Sequence, residues 1–313
     1  MVARITRLLI VVQCLIGIAL FFLCLKVLHL HSVWMALAIS VLFVAVARLS
    51  ITANSFLLAW IYRSETPSEF RITWQQATRL FRSEFNASMI SSSWSMAFRT
   101  FDKRPAAHPV GLPVLLIHGY GCNSGYWNGM SKQLSDANIT HHAVNLEPVL
   151  ADIDSYVPAI HQAIRTLLTD SGSAQVILVA HSMGGLACRA YLREHGSAHI
   201  AKVITLGTPH RGTGLANFGV GENSKQMRWN GDVAGGGASD WLRRLEAAES
   251  PATYALFVSI YSHHDNIVSP QLSSHLEGAT NMAFHGIGHV ALGMDTSIQA
   301  CVIAQVLAIS TTR

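Results

Sequence analysis

Charge is scarce in this chain. Of its 313 residues only 13% are Asp, Glu, Lys or Arg, and no run of Lys or Arg accounts for the net charge of +4. Without a basic stripe the sequence lacks the electrostatic footprint of a nucleic-acid-binding protein. Cysteine is sparse as well. The five residues, at positions 14, 24, 122, 188 and 301, show no CxxC spacing. A disulfide framework and a zinc site are both disfavoured, and the thiols read as buried and free. No GxGxxG follows the first strand-like run and no Walker-type lysine is present, so neither nucleotide-binding motif applies. Nothing in the sequence calls for a metal or an organic cofactor.

What the chain has instead is apolar sequence: half of its residues are hydrophobic and mean hydropathy is +0.32. The excess sits at the N-terminus. Leu8 to Leu25 is broken only by Gln13 and Gly17, and a run of about 18 apolar residues is long enough to cross a bilayer. No A-x-A triplet follows at signal-peptide distance; Ala36-Leu37-Ala38 and Ala45-Val46-Ala47 both lie inside the next apolar run. A second run, Val33 to Ala47, ends at Arg48, and a third, Leu49 to Tyr62, carries Thr52, Asn54 and Ser55. Residues 1–63 therefore read as a membrane-anchoring hairpin, with spans at about 8–28 and 33–50 and an interfacial continuation. The apolar residues go all round each helix rather than forming one stripe, as lipid contact requires. Arg4 and Arg7 place the N-terminus in the cytoplasm, and two crossings return the chain there.

Residues 64–110 form a linker and helical segment, with an amphipathic helix around Glu69 to Phe85, the serines Ser91–Ser95 and then "DKRPAAHPVGLP". From residue 111 the pattern changes. "VLLIH" (114–118), "HHAVNL" (141–146), "AQVILVA" (174–180), "AKVITLG" (201–207) and "ALFVSIY" (255–261) alternate with helix-period segments. In 154–171, for example, Val157, Ile160, Ile164, Leu167 and Leu168 share one face. Such alternation predicts an α/β domain over 111–313, a mostly parallel sheet flanked by helices.

Ser182 stands in "VILVAHSMGG", directly after an apolar strand and before the helix-like "MGGLACRAYLRE". A-x-S-x-G alone is a weak signal, but strand–turn–helix is the setting of a nucleophile elbow. Ala180 and Gly184 are small where the strand and helix backbones meet. With "LLIHGYG", "VAHSMGG", "ITLGTPHRGT" and "HHDNIVSP…GIGHVALG", residues 111–313 resemble an α/β-hydrolase of the bacterial lipase/esterase type. Ala180 replaces the first glycine of G-x-S-x-G, and the N-terminal 110 residues lie outside the resemblance.

The resemblance implies the chain order Ser, acid, His for a catalytic triad. Asp265 follows the strand "ALFVSIY", and "NIVSP" after it matches the family's acid loop. His289, in "HGIGHVALG", is the first choice for the base and His285 the second. His181 abuts the serine, but neighbouring side chains on an elbow diverge. Carried over by motif, the oxyanion donors are the backbone N–H groups of Tyr120 and Met183. An insert at about 211–252, with "GDVAGGGASD" and the amphipathic "WLRRLEAAE", has the composition of a lid. The expected activity is hydrolysis of a lipidic or other apolar ester, in a bacterial inner membrane with the catalytic domain on the cytoplasmic face. An acyltransferase or thioesterase would share the same triad. A non-catalytic binding protein would have no need of all three triad residues.

Overall fold

The computed structural model describes residues 1–231 and 237–310. A mixed sheet of seven strands runs through the domain in the order β1-β3-β2-β4-β5-β6-β7. The strands are β1 (Lys103–Arg104), β2 (Val114–Ile117), β3 (His141–Val144), β4 (Val176–His181), β5 (Ile200–Leu206), β6 (Phe257–Ser262) and β7 (Thr280–Phe284). Only β1 is antiparallel, to β3; the other pairs are all parallel. β2 to β6 fall on the five apolar runs of the sequence. β1 and β7 carry no such run: β1 is two exposed charged residues, and β7 is an edge strand without a fully buried residue.

The helices are α1 (Val2–Lys26), α2 (Val33–Tyr62), α3 (Trp74–Ile90), α4 (Met96–Phe98), α5 (Asn128–Asp136), α6 (Val157–Ser171), α7 (Met183–His195), α8 (Glu222–Gln226), α9 (Asp240–Ala247), α10 (Pro251–Tyr254) and α11 (Thr296–Ser310). The central strands are buried on both faces and feed two cores. Leu115, Ile117, Val176, Leu178 and Ala180 point to one side, where Ile160, Ile164 and Leu167 of α6 meet them. Val114, Leu116, Ile177 and Val179 point to the other, against Met130 and Leu134 of α5 and Ile298 and Val302 of α11. Period-2 alternation thus sends adjacent residues of one strand into opposite layers. α6 buries every third or fourth residue, carries Pro near its start, and ends on Gly172 at φ 68°.

The N-terminal hairpin departs from expectation at one place. Both α1 and α2 are long and apolar enough to cross a bilayer, and Leu8 and Val41 are each 61% exposed. α2, however, does not end near residue 50. No Gly or Pro interrupts 33–62, so nothing breaks the helix, and its last turns run onto the α/β domain instead of along an interface. There the Asn266 amide donates to Ser55 Oγ (2.7 Å) and Ser269 Oγ donates to the Ala59 carbonyl (2.7 Å). The start of α1 returns to the same domain: the N-terminal amine pairs with Glu147, and Arg7 donates to the Ala97 carbonyl.

The insert at 211–252 is folded down over most of its described length; 232–236, the centre of "GDVAGGGASD", lies outside the described residues. Trp241, Leu242 and Leu245 of α9 are buried in the first core, and Trp241 Nε1 donates to Asp154 (2.9 Å). The amphipathic face expected to close a lid is therefore used as core. All five cysteines are free, but only Cys24 and Cys188 are buried; Cys122 and Cys301 are partly so, and Cys14 is exposed on α1.

One buried ion pair ties α7 to the region after α9. Arg189 makes a two-pronged contact with Glu249 (2.8 and 2.5 Å), and both side chains are at most 2% exposed. Nη1 of Arg189 also donates to the His210 carbonyl, and Tyr254 donates to Glu249. Removing one partner leaves the other charge unpaired in the interior. Glu249→Ala should therefore cost about 3–5 kcal/mol, read as a lower thermal or urea midpoint of the full chain. Arg189→Met in the same molecule should recover much of that loss.

Candidate active site

β4 ends at His181 and α7 begins at Met183, leaving Ser182 alone on the corner at φ 55°, ψ −128°. This is a sparsely populated region for a non-glycine residue, costing about 1–3 kcal/mol. The surroundings hold it there. Ser182 N–H donates to the Leu206 carbonyl (2.9 Å), and Thr208 Oγ1 donates to the Ser182 carbonyl (2.9 Å). Gly184 is required by close approach, since a Cβ there would lie 2.6 Å from the carbonyl oxygens of both Ile117 and His118. Gly185 packs against Thr208 in the same way. "GTPHRGT" thus supplies the brace of the elbow.

The loop after β2 faces the serine. A Cβ on Gly119 would sit 2.8 Å from the Ser182 Cβ, so only glycine allows the loop to come this close. His118 fixes the loop: its Nδ1 donates to the Gly119 carbonyl (2.9 Å) while its Nε2 accepts from Leu146 N–H (3.0 Å). That arrangement needs a neutral ring, and burial pushes the His118 pKa down to about 4. Among the described residues, neither the Tyr120 N–H nor the Met183 N–H donates to a protein acceptor. Met183 begins a helix, where N–H groups without intrahelical partners favour negative charge.

Asp265 and His289 lie 2.8 Å apart, Oδ2 to Nδ1, at 2% and 6% side-chain exposure. The other Asp265 oxygen accepts the N–H groups of Ile267 and Val268 (2.8 and 2.7 Å), which aims the carboxylate. His289 N–H donates to Asn266 Oδ1 (2.9 Å). Burial alone would lower the His289 pKa. The Asp265 charge and hydrogen bond, helped by the Glu84 carboxylate, outweigh it and raise the pKa above the ordinary 6.5. His285 does not reach Asp265; its ring lies 6.1 Å from that of Phe70. His181 stacks on Tyr126 and donates from Nε2 to the His289 carbonyl (3.0 Å). Burial, then the nearby His289, holds His181 well below its ordinary pKa.

The five residues singled out from sequence thus gather around one corner, with the rings of His181 and His289 4.5 Å apart. Ser182 Oγ makes no hydrogen bond to His289 Nε2 here. Such contacts are commonly loose before substrate binds. No group of three or more His, Cys, Asp or Glu among the described residues could hold a metal ion.

Glu84 of α3 was not anticipated. It is 1% exposed, and its two oxygens accept the N–H groups of Val290 (3.0 Å) and Ala291 (2.9 Å). Its carboxylate lies against Gly288, where a Cβ would come within 2.6 Å of Oε2. It therefore holds both sides of the His289 backbone in place. Burial raises its pKa, while the two N–H donors oppose that shift. The available signal was an acid on the apolar face of an amphipathic helix, at the i+4 position from Leu80 and three before Ala87, both buried.

Residues 113–244 match the palmitoyl protein thioesterase family. The triacylglycerol lipases of Pseudarthrobacter phenanthrenivorans and Burkholderia plantarii are each 30% identical to the chain over 114 residues. That stretch is 34% of this chain and 35% and 32% of theirs, so the chain spans about a third of the length of the curated relatives it matches. Among solved structures, the mature Bacillus licheniformis lipase BlEst2 superposes with a TM-score of 0.54 at 18% identity, over 66% of this chain and 97% of that one. Aspergillus fumigatus lipase B gives 0.53 at 17% identity, over 66% of this chain and 56% of that one. The structural likenesses speak to the fold. With the parallel sheet and the elbow, they give residues 111–313 an α/β-hydrolase fold, and the sequence matches make that region similar to lipases and thioesterases. The family match ends before Asp265 and begins after Glu84.

Glu84→Ala should leave two buried N–H groups without acceptors, at about 1–3 kcal/mol each before relaxation. Glu84→Gln keeps one acceptor. The expected order of thermal midpoints is wild type, then Gln, then Ala; equal midpoints would mean that the loop is held without this carboxylate.

Proposed function

We propose that this α/β-hydrolase is a membrane-anchored serine hydrolase that cleaves apolar, lipidic carboxylic esters by two-step acyl transfer. Ser182 Oγ attacks the ester carbonyl while His289 Nε2 takes its proton, and Asp265 holds the imidazole and stabilises its charge. The oxyanion of the tetrahedral intermediate accepts from the Tyr120 and Met183 N–H groups. On collapse the C–O bond breaks and His289 gives its proton to the departing alcohol. Water then attacks the acyl-enzyme with the same base, and the acid leaves as Ser182 regains its proton. The observation that carries this reading is the bonded Asp265–His289 pair beside a strained serine flanked by two N–H groups free to donate to a negative oxygen. The palmitoyl protein thioesterase match favours a second reading, a thioester substrate, which changes only the leaving group.

Ser182→Ala should abolish both hydrolysis of p-nitrophenyl butyrate and labelling by a fluorophosphonate, since it removes one oxygen and opens no large void. His289→Ala should cost several powers of ten in kcat, and His285→Ala at most about tenfold. His289 must be neutral to act as a base. Because its pKa is raised, kcat/KM should rise with pH through an inflection above 6.5. Glu84→Gln removes a negative charge that favours the imidazolium, so it should move that inflection down.

The hairpin supports an integral membrane location with the catalytic domain on the cytoplasmic face of a bacterial inner membrane. Both helices are long enough to cross, Arg4 and Arg7 mark the inner side, and the N-terminus contacts the catalytic domain through Glu147. A GFP fused after residue 105 should fluoresce and alkaline phosphatase fused there should stay inactive. The reverse pattern would put the domain outside.

A further inference from the structure

The N-terminal hairpin encloses space as well as providing length. A cavity of about 510 Å³ lies between α1, α2 and α3, walled by Leu9, Phe43, Ile51 and Phe85, and it reaches Gly121 and Val149 at the domain end. Gly121 follows the Tyr120 N–H, and a Cβ built on it would meet nothing within 4 Å, so the loop faces open space there. A second cavity of about 690 Å³ continues along the same helices toward Phe21 and Leu37. Gln13, Val44, Arg48 and Met89 line both.

At that junction the Arg48 guanidinium is held across the path. Nε donates to Gln13 Oε1 (2.7 Å) and Nη1 donates to Ser92 Oγ (3.0 Å). No carboxylate among the described residues pairs with it. Ser92 belongs to the π-helical turn Ser91–Ser95, next to the exposed Trp94, and aromatic side chains of this kind favour the membrane–water interface. The lining residues of the first cavity on α1 run from Val2 to Ile16, about 21 Å of helix. One leaflet of a bilayer is about 15 Å of hydrocarbon.

We propose that the first cavity is the acyl site of the substrate: a single fatty-acyl chain of a bilayer lipid lies along the hairpin, its ester carbonyl at the Gly121 end and its tail against Arg48. Resting on the ester-hydrolase reading, this assigns the acyl-binding surface to the hairpin, outside the region matched by the thioesterase family. The guanidinium with its Gln13 and Ser92 partners forms a polar end wall, because hydrocarbon gains nothing by displacing the hydrogen bonds of a charged group. Chain length is then read by the distance from the oxyanion loop to Arg48. Access is lateral, from the leaflet in which the hairpin stands.

The test uses the full chain in detergent or nanodiscs and a p-nitrophenyl ester series from C4 to C16. Ala47→Trp fills the first cavity and should lower the ratio of kcat/KM for C16 over C4 at least tenfold. Arg48→Leu opens the wall and should shift the optimum to longer chains. An unchanged chain-length profile in both variants would overturn the proposal. A diazirine-bearing palmitic acid gives a second readout that needs no turnover. It should label peptides from 43–52 and 85–96 in wild type, and Ala47→Trp should remove that labelling while outward-facing positions still react. Labelling that survives Ala47→Trp unchanged would sink the acyl site. A chain that hydrolyses no ester yet shows the displaceable label would refute the ester-hydrolase reading and leave the acyl site standing.

Discussion

The His289 loop has no regular structure of its own to hold an imidazole still, and most of the site depends on how it is held. Oδ2 of Asp265 bonds the ring, Asn266 bonds the His289 N–H, and Glu84 takes the next two N–H groups. His181 adds a bond to the carbonyl of the same residue. Ring, amide and carbonyl of one residue are thus fixed by side chains from two parts of the chain, and Glu84 from a third holds the residues that follow. Each bond lies in a region of low exposure, where an unmade hydrogen bond is costly, so the loop has one arrangement with every partner satisfied.

One of those holds comes from outside the α/β domain and a second is braced from outside it. Glu84 belongs to α3, and Asn266 is itself tied to Ser55 on α2. The hairpin and the hydrolase domain are therefore not an anchor joined by a passive tether. α2 is long enough to serve both ends: its first half is wholly apolar in character, and its last turns carry the serine and backbone carbonyl that the acid loop uses. Any displacement of α2 relative to the domain would be felt at Asn266, and through it at His289.

The buried histidines divide by what surrounds them. His118 and His181 have no carboxylate partner and are driven neutral by burial, which suits them to bond a backbone carbonyl through one nitrogen. His289, equally buried, faces Asp265 with Glu84 behind, and its pKa goes the other way. The same residue type is held neutral in two places and has its protonated form favoured in the third, according to the charge placed beside it. Histidine count carried no information about this. Position relative to Asp265 carried all of it.

Local pattern was enough to read the five central strands, α6, the two long apolar helices and the corner at Ser182, because each is written in residues a few positions apart. Asp265 and His289 were legible for a related reason: one follows a strand and the other sits among glycines before the last helix. Glu84, the Ser55–Asn266 bond and the cavity ending at Arg48 had no such signature. They join residues separated by up to 211 positions, and their side chains look ordinary on the helices that carry them. The polar residues near the end of α2 resemble an interfacial stretch, whereas one of them, Ser55, meets a partner on a loop more than 200 residues away. The sequence alone determined which segments are strand, long apolar helix and elbow, since hydrogen-bond periodicity and burial are local demands. Only the tertiary structure decided what holds the His289 loop, because packing brings together groups that no spacing along the chain relates.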